Sequence, residues 1–280
     1  LSAIGYDCAG AVAFFEDKPK NLKEYYEIKG KVLSEDELEK YIKELPKKPL
    51  ALGSDKRLSL AGAQDKTAIV MIKDKIAIPN DNVPSTHILK PAIAGYKETI
   101  ENEYICMKAA EKLGIQIPNI QIGQANDTKY LLVERYDRVV KESKIKRIHQ
   151  EDFCQASNIL SAYKYQTEGG VDFKSCIEIL KKTTRPAVSI KQFVELMVFN
   201  YLIGNNDAHG KNFSILHYDD GEIRFAPAYD ILCTSVYPEL SSKMAMKIGG
   251  YYESDKIYPR HFERTAKDIG ISYTQVKKIL

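Results

Sequence analysis

The sequence has little cysteine, no long apolar run and no excess of charge of one sign. Its cysteines are scattered without a Cys-x-x-Cys pair, which excludes a disulfide framework and a zinc site and favours a reducing compartment. No apolar run approaches the roughly 20 residues that a helix needs to cross a bilayer. The net charge is only +3, so a generic basic coat for nucleic acid is not indicated. The five cysteines are Cys8, Cys106, Cys154, Cys176 and Cys233.

The composition is that of a folded protein. Hydrophobic residues make up 44% and aromatic residues 10% of the chain, which excludes a wholly disordered protein. A length of 280 residues is enough for a sizeable core without a disulfide or a metal to support it. The sequence begins at Leu1 rather than at a methionine, shows no leader peptide and stops at Leu280 within an apolar-periodic stretch. We therefore expect a chain trimmed at one or both ends.

The first half is predicted to be a small antiparallel sheet with one long helix inserted. Helical spacing predicts that helix at 98–113, before Gly114. Capping-box spacing at Ser34 predicts an earlier amphipathic helix that ends before Pro46. Short β-type runs separated by turn residues predict a hairpin and three further strands. These strands are predicted at 67–72, 75–78, 86–90, 117–122 and 130–134.

The second half is predicted to be mostly helical. The helix at 190–203 is apolar nearly all round, which is typical of a buried helix. A hairpin with its turn at Asp219-Asp220-Gly221 is predicted after it, and the basic stretch 141–147 is predicted to be a solvated loop. The other predicted helices lie at 151–162 and 172–182.

The most polar segment of the chain follows the buried helix directly. Asp207 and Asn212 stand there as D-x-x-x-x-N, the spacing of a kinase catalytic loop. In such a loop the aspartate receives the proton of the attacking hydroxyl and the asparagine holds magnesium. A hydrogen-bonded structural loop is the alternative, because this short pattern also occurs by chance.

Three further features point to phosphate chemistry. Asp230 follows the hairpin at the place where a kinase delivers an aspartate to magnesium, although a turn aspartate is the alternative. Small residues at 61–63 would let backbone N–H groups approach a phosphate, although the stretch could be an ordinary surface loop. Lys90 ends a strand as Ile-Leu-Lys, like the strand lysine of kinases, and Glu103 could orient it. The alternative is a solvated lysine and an exposed glutamate.

The order of these features favours one architecture. Residues 131–138 join the two halves and could present backbone groups to an adenine edge, or could form a plain edge strand. A small-residue loop, a strand lysine, a connector, a buried helix, D-x-x-x-x-N, a hairpin and an aspartate follow one another as in a two-lobed kinase. We therefore predict an α+β, protein-kinase-like fold, with a β-rich lobe at 1–137 and a mainly helical catalytic lobe at 138–280.

Seven segments of the chain together resemble the HipA family of serine/threonine kinase toxins. They extend from Gly5 to Asp230, so the resemblance covers most of the chain. The aspartate lies in Ala-Tyr-Asp rather than in Asp-Phe-Gly, which fits this family but not ordinary protein kinases. The segments are Gly5–Val12, Ser59–Ala68, Thr86–Pro91, Asn102–Tyr104, Val133–Arg138, Gly204–Phe213 and Ala226–Asp230.

The resemblance implies a site for ATP and magnesium. It makes Asp207 the catalytic base, gives Asn212 and Asp230 the magnesium ion, and places Lys90 against the ATP phosphates. Ser59 matches the serine that the family autophosphorylates, where a phosphate would repel the nucleotide. The remaining nucleotide-site residues that it implies are Ala61, Gly62, Ala63, Gln64 and Lys66 at the phosphates, Glu134 and Tyr136 at the adenine, Asp137 near the ribose, and His209 and Lys211 in the catalytic loop.

The resemblance also implies a biological role. It predicts the cytoplasmic toxin of a bacterial toxin–antitoxin pair, with a small DNA-binding, HipB-like antitoxin as partner. It further predicts an aminoacyl-tRNA synthetase as substrate, most typically the glutamyl enzyme, contact with DNA only through the antitoxin, and no membrane. The family has a small β domain before the position of Leu1 and more helix after Leu280. These parts are absent from this sequence, so that domain could also be a separate partner protein.

Two alternative functions remain at this stage. A catalytically silent relative would bind the antitoxin and act as a co-repressor, although retention of Lys90, Asp207, Asn212 and Asp230 argues against it. A metal-dependent hydrolase could use Asp207, His209 and Asp230, but it would not need Lys90 or the loop at 59–66.

Overall fold

The computed structural model of the chain describes residues 7–12, 25–45, 65–80 and 83–280. The chain divides into two compact units. Within the described residues the first unit comprises those up to residue 104 together with 118–150, and the second comprises 105–117 and 151–280.

A six-stranded antiparallel sheet forms the centre of the first unit. Its strand order is β2-β4-β3-β5-β7-β6. The predicted hairpin at its centre is confirmed, because β3 and β4 pair from Val70 to Ala77 around a tight turn. Lys73 and Asp74 in this turn have φ values of 48° and 63°, the left-handed pair that a two-residue hairpin requires. The strands are β2 (Gly30–Val32), β3 (Thr67–Ile72), β4 (Lys75–Pro79), β5 (His87–Pro91), β6 (Ile120–Ala125) and β7 (Thr128–Glu134).

Two helices accompany this sheet in the chain. The predicted first helix is confirmed as α1 (Glu35–Glu44), and Ser34 and Glu37 form its reciprocal capping box. Leu38 and Ile42 of α1 pack into one apolar cluster with sheet residues such as Leu132. The predicted inserted helix is confirmed as α2 (Thr99–Lys112). It ends before Gly114, whose φ of 85° suits glycine at a helix C-terminus.

The prediction of a solvated loop at 141–147 is wrong. The segment forms a hairpin of β8 (Arg138–Lys141) and β9 (Lys144–Arg147), and β1 (Tyr26–Glu27) pairs with β9. The hairpin forms because Ile145 is fully buried among its charged neighbours and packs with Val70 and Ala77. Residues 138–150 lie in the first unit, and the lobe boundary after residue 137 stays a prediction.

The second unit is mainly helical. Its α-helices are α3 (Phe153–Ala156), α4 (Phe173–Leu180), α5 (Pro186–Leu202), α6 (Pro259–Asp268) and α7 (Tyr273–Ile279). The hairpin predicted after the buried helix is confirmed as β11 (Ser214–His217) and β12 (Ile223–Phe225). Beside it lies β10 (His149–Asp152), and β13 (Lys243–Ile248) pairs with β14 (Tyr251–Glu253).

The prediction of a helix at 151–162 is wrong. The chain is still a strand at Asp152, makes one helical turn as α3 and leaves the helix at Asn158, whose φ of 56° is incompatible with a continuing helix. A short 3₁₀ turn at Ser161–Tyr163 follows.

The predicted buried helix is confirmed as α5. Phe193 of α5 is fully buried and contacts the rings of Phe153, Phe213 and Phe225, with centroids 5.2 to 6.1 Å apart. These contacts hold the β11–β12 hairpin against α5. None of the helices among the described residues is both long and apolar enough to cross a membrane.

Candidate active site

The first unit holds a buried ion pair between the predicted strand lysine and the inserted helix. Lys90 Nζ on β5 lies 2.7 Å from Glu103 Oε1 on α2, and the two side chains are only 5% and 2% exposed. The interpretation of a solvated lysine and an exposed glutamate is therefore wrong. Burial of an ion pair to this degree carries a large desolvation cost. A strand lysine paired with a helix glutamate is also the pair that protein kinases form.

The connector after β7 carries the residues predicted to bind adenine. Glu134 is exposed, and its backbone N–H donates to the Asn119 carbonyl at 2.9 Å. A hydrogen bond between the Glu134 backbone and a base would therefore have the Glu134 carbonyl oxygen as acceptor. Tyr136 lies two residues further along and is half-buried.

Asp137 lies in a buried network of charged side chains. Its carboxylate accepts hydrogen bonds from Arg135, from Arg138 and from the backbone N–H of Gly10, at 2.7 to 3.0 Å. Both arginines also bind Asp7. Burial alone would raise the pKa of Asp137, but the arginines, Arg135 foremost, lower it overall. This network ties the segment around Gly10 to the connector, and the contact of Asp137 with a ribose stays a prediction.

The polar loop of the second unit begins where α5 ends. Asp207 is 9% exposed, and its Oδ1 accepts a hydrogen bond from Tyr165 Oη at 2.5 Å. Its backbone N–H donates to Asn205 Oδ1, and Asn205 Nδ2 in turn donates to Asn200 Oδ1 on α5. Asn206 donates its backbone N–H to Thr234 Oγ1 at 2.8 Å. The loop is therefore held by internal hydrogen bonds around the aspartate.

Asn212 closes this loop through a single 3₁₀ turn, Gly210–Asn212. Its side-chain oxygen accepts the backbone N–H of His209 at 3.1 Å. A Cβ at Gly210 would lie 2.6 Å from Val171 and 2.8 Å from Cys154 Sγ, so the turn has no room for a side chain there. Lys211 is partly exposed, with Nζ 3.7 Å from Asp152 Oδ2.

Tyr229, the residue before Asp230, connects this part of the chain to the loop that contains Lys211. Tyr229 Oη donates to the carbonyl of Lys211 at 2.7 Å and lies 2.7 Å from Ser214 Oγ. Asp230 itself adopts a φ of 53°, a left-handed conformation that is uncommon outside glycine and often found at functional sites.

His209 is the most deeply buried titratable side chain of the loop, at 4% exposure. Among the described residues, neither ring nitrogen has a hydrogen-bond partner. Burial, and next the charge of Lys164, lower the pKa of His209 to about 3, while the charge of Asp230 acts in the opposite direction. The imidazole is therefore neutral at physiological pH, and Asp230 lies near enough to influence it.

This buried histidine predicts acid-sensitive stability. An unfolded chain takes up the proton near pH 6.5 but the folded chain only near pH 3, so stability is complete above 6.5 and falls as the pH decreases through that window. The loss between pH 6.5 and 5 is about 2 kcal/mol. We expect His209→Gln to reduce the pH dependence of the unfolding free energy by about this amount in urea titrations. An unchanged pH dependence of the unfolding free energy in His209→Gln would contradict the lowered pKa of His209. His87→Gln tests the same linkage at a second buried histidine, because burial lowers the pKa of His87 to about 4. It should also reduce the pH dependence of the unfolding free energy.

The donor chemistry of the loop fits a magnesium ion. Asn212 offers a carboxamide oxygen and Asp230 a carboxylate oxygen, the hard oxygen ligands that magnesium prefers. The second unit therefore offers Asp207, Asn212 and Asp230 as oxygen donors for a metal ion and a substrate hydroxyl.

Several of the other predicted site residues lie outside the described part of the chain. Ser59 and the predicted phosphate loop Ala61–Gln64 lie outside the described residues, and Lys66 is exposed just before β3. The sequence analysis missed Tyr165, which contacts Asp207, because a lone tyrosine between two short turns carries no motif. It also missed the roles of Arg135 and Arg138, although two arginines flanking Tyr-Asp in a connector were a visible signal.

Comparison with known proteins identifies the family. The profile of the HipA-like C-terminal domain matches residues 58–280. The chain belongs to the HipA-like family. It is 39% identical to the presumed kinase Y4mE of Sinorhizobium fredii over 99% of this chain and 67% of that protein. It is 30% identical to the serine/threonine-protein kinase toxin HipA of Shewanella oneidensis, over 92% of this chain and 61% of the toxin.

The structural comparison agrees with the sequence relatives. HipA of Shewanella oneidensis, solved in complex with HipB and operator DNA, matches with a TM-score of 0.85 and 27% identity, over 99% of this chain and 67% of that chain. The predicted HipA-like, kinase-like α+β fold is thereby confirmed. The chain spans about three fifths to two thirds of the lengths of these relatives.

Proposed function

We propose that this chain is an ATP- and magnesium-dependent protein serine/threonine kinase. The observation that carries the proposal is the buried pair of Lys90 and Glu103 at 2.7 Å, because kinases need this pair in place for phosphoryl transfer. The names of the relatives, one a presumed kinase and one a serine/threonine-protein kinase toxin, support the same activity.

The proposed mechanism assigns one task to each group. The Asp207 carboxylate accepts the proton of a serine or threonine hydroxyl while that oxygen forms a bond to the γ-phosphorus of ATP. The bond from this phosphorus to the β–γ bridging oxygen breaks, and ADP leaves. Lys90, oriented by Glu103, holds phosphate oxygens, and Asn212 and Asp230 would hold magnesium. When bound, that ion neutralises charge that develops on the phosphates.

The remaining contacts to ATP follow the family pattern. We assign the phosphates to backbone groups of Ala61–Gln64, which lie outside the described residues, and to Lys66. Glu134 and Tyr136 bind the adenine, and Asp137 lies near the ribose. His209 and Lys211 complete the catalytic loop.

The biological role that we propose is that of a toxin. One relative of known structure, HipA of Shewanella oneidensis, was solved in complex with HipB and operator DNA, which supports a HipB-like antitoxin as partner, with contact to DNA only through it. The proposed substrate is an aminoacyl-tRNA synthetase, and the proposed compartment is the cytoplasm, where five free cysteines would stay reduced.

Peptide mapping after incubation with ATP and magnesium tests the finer assignments. We expect phosphate on Ser59, and we expect Ser59→Ala to block this modification while transfer to a purified synthetase, the glutamyl enzyme first, continues. Ser54→Ala is the matched control and should be phosphorylated in the same way as the chain without substitutions. Phosphate at another residue of Ser59→Ala would displace Ser59 as the modified site, and an unmodified panel of synthetases would remove that substrate class.

A further inference from the structure

Tyr165 lies in the second unit between two short 3₁₀ turns, Ser161–Tyr163 and Gln166–Glu168. Its own carbonyl accepts the backbone N–H groups of Glu168 and Gly170 at 2.9 Å. The backbone of this residue is therefore fixed by its own segment. The side chain is only 8% exposed, so the hydroxyl group requires a partner inside the protein.

That partner is the proposed catalytic base. Tyr165 Oη donates to Asp207 Oδ1 at 2.5 Å, a short distance that is typical of a hydroxyl donating to a charged carboxylate. The two residues are 42 positions apart in sequence, so the contact arises from the fold and not from local turn geometry.

The ring of the same tyrosine contacts a second residue of the loop. It meets the imidazole of His209 edge to face, with ring centroids 5.2 Å apart and planes at 82°. Lys164 Nζ lies 5.2 Å from the centroid of the Tyr165 ring. One side chain thus contacts residues on either side of Ala208, with its hydroxyl on the carboxylate and its ring edge on the imidazole.

We propose that Tyr165 is a positioning residue that orients the Asp207 carboxylate for proton transfer, an inference that rests on the proposed function. A carboxylate can rotate about its Cβ–Cγ bond, and a donor fixed at Oδ1 sets the plane of the group. The direction in which Asp207 meets a substrate hydroxyl is then set before the substrate binds. A misplacement of about 1 Å at a reacting group costs on the order of 100-fold in rate.

Tyr165→Phe tests this role because it removes one oxygen and keeps the ring against His209. We expect kcat for phosphoryl transfer to fall about 10- to 100-fold. Since the hydroxyl contacts the base and not the nucleotide, KM for ATP should stay within about twofold. Tyr163→Phe is the matched control, because Tyr163 is 51% exposed in the same segment, and its kcat should not change.

One further variant separates positioning from support of the fold. Tyr165→Leu removes the ring as well and should lower the thermal midpoint, whereas Tyr165→Phe should keep it near that of the unmodified chain. A Tyr165→Phe protein with unchanged kcat would overturn the proposal. A Tyr165→Phe protein that loses kcat, ATP affinity and thermal midpoint together would also overturn it, since the role would then be structural.

The same assay distinguishes this inference from the proposed function. Transfer by the unmodified chain and none by Asp207→Asn support the proposed function whatever Tyr165→Phe does. An unmodified chain that binds ATP without transferring phosphate would overturn the proposed function, and the role of Tyr165 with it.

Discussion

Asp207→Asn is expected to reduce phosphoryl transfer by about 100- to 10,000-fold, the range that a general base contributes. Asparagine has nearly the same shape and retains an oxygen that can accept the Tyr165 hydroxyl, so the loop should keep its fold. It cannot take up the proton of a substrate hydroxyl. Single-turnover transfer from γ-labelled ATP measures the loss, and calorimetry should show nearly unchanged binding of ATP with magnesium.

Asp219→Asn is the matched control for this prediction. Asp219 is an exposed aspartate in the turn between β11 and β12, and its replacement should leave the transfer rate unchanged. An Asp207→Asn protein that is folded and transfers phosphate at the normal rate would remove Asp207 from the role of base. Loss of ATP binding together with the fold would assign the residue a structural role.

Lys90→Ala is expected to affect both stability and nucleotide binding. It leaves the Glu103 carboxylate buried without its cation, and breaking a buried ion pair in this way costs about 3–5 kcal/mol. It also removes a phosphate contact, so we expect ATP affinity to fall at least about tenfold, the equivalent of about 1.4 kcal/mol. Urea unfolding and calorimetry measure the two effects separately.

A double variant distinguishes the role of the lysine in stability from its role in binding. Lys90→Met with Glu103→Leu replaces the pair with apolar side chains of similar size, an exchange that is often neutral for stability. We expect this protein to regain most of its stability while ATP binding stays weak. Recovery of ATP affinity together with stability would contradict a phosphate contact by Lys90.

The more exposed pair of Lys129 on β7 and Glu101 on α2 offers a matched control. Its atoms are also 2.7 Å apart, but the side chains are 55% and 32% exposed. Such surface pairs contribute about 0–1 kcal/mol. Lys129→Ala should therefore change stability little and ATP affinity not at all, which would show that burial and position give the Lys90 pair its effect.

The elements that local pattern determines were predictable from the sequence. The α1 capping box at Ser34, the apolar α5 and the hairpin turn at Lys73-Asp74 each carry a periodicity or a turn signal within a few residues. The positions of Asp207, Asn212 and Asp230 relative to these elements followed from their order along the chain. The confirmed kinase-like fold rests on the same order.

Contacts between distant residues were not predictable in this way. From the sequence alone, Glu103 is one of several charged residues of a helix. Only the fold brings Lys90 beside it. Arg135, Arg138 and Asp7 form one network across more than 100 positions of sequence. Tyr165 contacts Asp207 across 42 positions of sequence, in a segment that follows the short α3, where the sequence pattern favoured a longer helix. In each case tertiary packing decided the contact, and a single sequence carries no record of it.

The most direct test of the account is the intact mass of the chain before and after incubation with ATP and magnesium. The account predicts that the unmodified chain gains one phosphoryl group and that Asp207→Asn, treated in parallel, gains none. A chain that starts without phosphate, binds ATP and gains no mass would contradict the proposed kinase activity.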